Sequence, residues 1–70
     1  MRITVNDKKI IIFQGATVKD ALLRLFSKNG ISRDMLMQVT AYDQWGHELD
    51  LDSPLREDTA ITYEINQQEP

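Results

Sequence analysis

The chain has 70 residues and a net charge of −3, and a domain this short buries only about 60% of the surface its unfolded form exposes, leaving little interior for a substrate cleft. It has no cysteine, which excludes disulfides, thiolate metal sites, iron–sulfur ligation and a thiol nucleophile, and it carries no marker of an oxidising compartment. Charge interrupts the apolar residues of "MRITVNDKKI" and the longest apolar stretch is far below a membrane span, so neither a secretory leader nor a spanning helix is expected, and the expected compartment is the cytoplasm.

"RITVNDKKIIIF" reads as a hairpin. Ile3 and Val5 alternate with Arg2 and Thr4, Asn6-Asp7 supplies a tight turn with positive φ, and Ile10 and Ile12 resume the inward set. Ile11 and Phe13 point the other way, and one of them is expected to pack under the incoming helix or cover an edge. In "FQGATVKDALLRLFSKNGI" Gly15 turns the chain, Thr17 is an N-cap and Asp20 takes the capping-box position. Val18, Ala21, Leu22, Leu25 and Phe26 form the apolar stripe of a helix, with Lys19, Arg24 and Lys28 toward solvent. Gly30 suits a left-handed end, from which Ile31 reaches back to Phe26.

After the connection "ISRDM", the stretch "LMQVTAYDQWGHELDLD" predicts a longer strand, a turn at Gln44-Trp45-Gly46 and a short strand carrying Leu49 and Leu51 on one face. Met35 and Met37 share strand parity and are read as core filler before a binding surface. "AITYEI" is a closing strand with Ile61, Tyr63 and Ile65 on one face. The order predicts an α+β roll, ββαβββ, in which one helix buries its stripe on a mixed sheet; the domain is residues 1–65 and residues 66–70 are a short polar tail.

The N-terminal hairpin, "G-A-T-V-x-D-A-L-x-x-L" at Gly15–Leu25 and "D-x-x-G-x-E-L…D-x-P-L-x-x-D-x-x-I" at Asp43–Ile61 together resemble the ubiquitin-like β-grasp sulfur carriers of thiamine and molybdopterin synthesis. The resemblance implies that the first and last strands lie side by side and parallel at the sheet centre, with the helix across them. Those carriers end in a flexible diglycine that threads into an adenylating enzyme, whereas Asn66, Gln67, Gln68, Glu69 and Pro70 include no glycine. The expectation is therefore a sulfur-carrier-like module without catalysis or cofactor, which binds a protein partner such as an adenylating or sulfur-transfer enzyme. Two other readings stay open: a genuine carrier whose tail is processed or incomplete, and a TGS-like regulatory domain linked to RNA through the basic helix face.

Charge is unevenly spread, +5 over residues 1–33 and −8 over residues 34–70. Overall acidity argues against nucleic acid, which requires clustered Lys and Arg free of neighbouring carboxylates. "HELDLD" invites a metal reading, but on a strand Glu48, Asp50 and Asp52 would share one face at ~6.6 Å intervals while His47 points with Leu49 and Leu51, so a solvated acidic face is favoured. That face could dock on the basic one, with Lys8 and Lys9, in head-to-tail self-association, although ordinary screened surface charge is the simpler account. Trp45, in its predicted turn, is either a partner anchor or a lid over the core. Candidate partner contacts are Trp45, Tyr63, Glu48, Asp50 and Asp52; the serines lack a spaced His and acid, and no metal or catalytic set is assigned.

Overall fold

The computed structural model of the chain describes residues 1–66. Strand β1 (Arg2–Val5) and strand β2 (Lys8–Ile11) form an antiparallel hairpin in which Val5 pairs with Lys8. Between them Asn6 and Asp7 sit at φ 49° and 67°, and two left-handed residues give the turn a twist that matches its strands. Asn6 also uses its amide: Oδ1 accepts the Tyr63 N–H at 2.9 Å and Nδ2 donates to the Tyr63 carbonyl at 3.4 Å. Ile3, Val5, Ile10 and Ile12 are buried, as their alternation predicts. Ile11 and Phe13 correct the expectation that one of them packs under the helix or covers an edge, for they are 66% and 61% exposed. β2 is an outer strand, and among the described residues no second layer covers its far face.

Helix α1 (Val18–Asn29) starts and stops at its capping residues. Thr17 Oγ1 accepts the Asp20 N–H at 3.4 Å, and the Asp20 carboxylate accepts the Thr17 N–H at 2.9 Å. Gly30 takes φ 69°, and the Ile31 N–H returns to the Phe26 carbonyl at 2.9 Å. Val18, Ala21, Leu22, Leu25 and Phe26 form the buried stripe. The N–H groups of the first turn also find distant partners: Val18 donates to the Ser53 carbonyl at 3.0 Å and Lys19 to the Leu51 carbonyl at 2.9 Å.

Beyond the helix the chain departs from the predicted strands. Arg33–Gln38 winds as a 3-10 turn, with Ser32 Oγ accepting the Asp34 N–H at 3.3 Å, so β3 (Val39–Asp43) begins at Val39 rather than Leu36. Met35 is half-buried and Met37 is 90% exposed, so the pair does not share a core-facing strand. Strand β4 is only Glu48–Leu49, because the chain then turns, with the Ser53 N–H on the Asp50 carbonyl at 3.0 Å, and delivers its carbonyls to the helix start. Strand β5 (Thr59–Ile65) closes the fold, with Ile61 buried and the Tyr63 ring edge-on to Phe26 at 5.7 Å and 67°.

The result is a small α+β fold, one helix packed on a mixed five-stranded sheet of order β2-β1-β5-β3-β4. β1 and β5 are parallel neighbours at its centre, the pairing the resemblance implies, and the other neighbours are antiparallel. Among the described residues no polar side chain is buried and no helix is long and apolar enough to cross a membrane.

Candidate functional site

The turn joining β3 to β4 is built around one carboxylate. The Asp43 backbone N–H donates to the His47 carbonyl at 2.9 Å, while Asp43 Oδ1 accepts the N–H groups of Trp45 and His47, each at 2.9 Å. The Gly46 N–H returns to the Asp43 carbonyl at 3.1 Å, and Gly46 takes φ 85°, a left-handed conformation that glycine adopts without steric cost. His47 Nδ1 lies 3.4 Å from Asp43 Oδ2, with its side chain otherwise in solvent. Desolvation alone would raise the Asp43 pKa; the backbone donors of His47 and Trp45, together with the His47 charge, outweigh it and hold the carboxyl below its ordinary value.

These bonds fix the backbone and leave Trp45 73% exposed, so it does not cover the core as the lid reading required. A large side chain on a pinned turn loses little freedom when a partner covers it, the property that makes tryptophan effective at the centre of interfaces. Beside it is a hollow of about 360 Å³ bordered by Gln44, Trp45, Arg56, Asp58 and Thr59. Its far wall is also braced, with the Arg56 N–H on Thr59 Oγ1 at 3.1 Å and the Asp58 N–H on the Arg2 carbonyl at 2.7 Å.

The other candidates do not gather around Trp45. Tyr63 faces the helix, half-buried against Phe26. The expected ladder of Glu48, Asp50 and Asp52 is not one strand face: Glu48 alone is in β4, Asp50 follows it, and Asp52 lies in the turn whose neighbours cap the helix. His47 turns to Asp43 rather than lining up with Leu49 and Leu51. Among the described residues no group of three or more His, Asp or Glu could hold a metal ion. Asn66 is tied to the start of β3, its side chain donating to Thr40 Oγ1 at 2.7 Å, while Gln67, Gln68, Glu69 and Pro70 lie outside the described residues.

Two features escaped the sequence reading, one in the turn and one on the neighbouring sheet face. Asp43 carried a signal, since an aspartate two residues before a predicted turn centre is placed to accept its N–H groups. Tyr42 carried none: hydrogen bonding to Glu64, desolvation and the charges of Glu64 and Glu48 raise its pKa, and only the sheet register brings those residues onto one face. No protein-family model matches the chain, and a search of curated proteins finds no match.

Proposed function

We propose that this chain is a β-grasp module, similar to the sulfur carriers, that docks on a partner enzyme of the adenylating or sulfur-transfer class and carries out no chemistry itself. Parallel β1 and β5 beneath a single helix support the β-grasp reading. The observation that carries docking is the exposed Trp45 held by the Asp43 carboxylate. The adjoining hollow is bordered by Arg56 and by the carboxylates of Asp43, Glu57 and Asp58, a net negative rim that suits a partner segment bearing an apolar side chain next to a basic group.

Titrating an adenylating enzyme of the sulfur-carrier class into isotopically labelled protein tests this reading. Amide shifts are expected to concentrate at residues 43–47 and 56–59, and Trp45→Ala is expected to weaken binding about tenfold or more. Unperturbed amides in that turn, with full affinity in Trp45→Ala, would reject it. Intact mass after incubation with the enzyme and ATP decides the rival: an adenylate or thiocarboxylate on the chain would make it a carrier instead of a docking module.

A further inference from the structure

The sheet ends in two margins of opposite charge. β2 carries Lys8 and Lys9 on one, and β4 carries Glu48, with Asp50 just beyond it, on the other. An edge strand offers unpaired backbone groups, and charged side chains commonly guard it against pairing. The guard in this sheet is selective. Lys9 repels a second β2 and Glu48 repels a second β4, but the two attract each other.

Backbone phase agrees with charge. Met1 and Ile12 exchange both of their backbone hydrogen bonds, at 2.8 and 2.9 Å. By antiparallel alternation Ile10 is then bonded to Ile3, while Lys9 and Ile11 turn their N–H and C=O groups outward. On the opposite margin the Asp43–His47 bond makes Tyr42 and Glu48 the non-bonded pair, which turns the Glu48 backbone groups outward too. Lys9 pairs with Thr4 and Glu48 with Tyr42, both on the face away from the helix. Following the strand directions across the sheet, β4 runs antiparallel to β2. A second copy shifted along the sheet can therefore set its Lys9 directly opposite Glu48, with both backbone bonds made and both helices on one side. Ile11, 66% exposed in one chain, lies two residues from Lys9 on the same face of β2 and so borders the joint.

We propose that the chain associates head to tail with copies of itself, β2 of one molecule adding to β4 of the next through Lys9 and Glu48. The contact is heterologous, so it propagates as an open array instead of closing into a pair. The two residues of β4 allow few backbone bonds, and the assembly is weak, dependent on concentration and sensitive to salt. It stands apart from enzyme docking, because its test uses the purified chain alone.

Sedimentation velocity from micromolar to millimolar protein at low ionic strength provides that test. The weight-average mass is expected to rise past twice that of one chain and to fall back at about 1 M salt, where the screening length is ~3 Å. Lys9→Glu and Glu48→Lys should each be monomeric alone and grow again when mixed in equal amounts, with circular dichroism reporting that each is folded. A chain that stays monomeric at every concentration, or a dimer indifferent to salt and to both substitutions, overturns the proposal. Should either variant fail to fold, the native concentration and salt series decides the matter.

Discussion

Asp43 and Asn6 show how much single polar side chains do at the turns. Each sits at a strand end and uses its side chain to satisfy backbone groups that the ladder leaves over, Asn6 for Tyr63 and Asp43 for Trp45 and His47. The folded pKa of Asp43 is depressed, so its stabilising effect is complete above the ordinary carboxylate value near 3.8 and is lost as pH falls through the lower folded value. The amide shifts of Trp45 and His47 should move together in an acid titration, with a midpoint below that ordinary value. A midpoint at or above it would separate the carboxylate from the turn. At neutral pH, Asp43→Asn keeps an acceptor and should preserve slow hydrogen exchange at both amides, whereas Asp43→Ala should accelerate it.

At the scale of elements, α1 is the one whose limits local chemistry sets most completely. Thr17, Asp20 and Gly30 each satisfy or terminate specific backbone groups, and the stripe from Val18 to Phe26 has helical spacing. Thr17→Ala should cost about 1 kcal/mol, read as a lower urea midpoint at unchanged slope, with Thr17→Ser close to the native protein. An unchanged midpoint in Thr17→Ala would mean that the Leu51 and Ser53 carbonyls hold the helix start unaided. β4 and the 3-10 turn are the opposite case. "LMQ" has the composition of a strand, but Ser32 caps a tight turn there and the first β3 residue that finds a β5 partner is Val39, opposite Ile65. Leu49 and Leu51 share parity, yet the Leu51 carbonyl is taken by the helix start and only Leu49 stays in the sheet.

For the molecule as a whole, one small core carries the stability. Phe26 touches both layers, from the helix stripe to the Tyr63 ring on β5. Truncating a buried Phe costs about 3–5 kcal/mol, against a total of roughly 4–10 kcal/mol expected for 70 residues. Phe26→Ala should therefore lower the thermal midpoint by roughly 15 °C or more, or leave the chain unfolded at room temperature. A loss of only a few degrees would show that the core closes around the gap. The sequence by itself determined what depends on near neighbours: the Asn6-Asp7 hairpin, the capped helix, the closing strand and the inward set from Ile3 to Ile61. Backbone sterics, capping bonds and side-chain periodicity act over a few residues and are written in residue order. Tertiary structure alone decided which strands became margins, where β3 and β4 end, and which of Ile11, Phe13, Trp45 and Tyr63 meet solvent. Those outcomes follow from hydrogen bonds and burial between segments far apart in the chain, and no local pattern encodes which distant partner arrives.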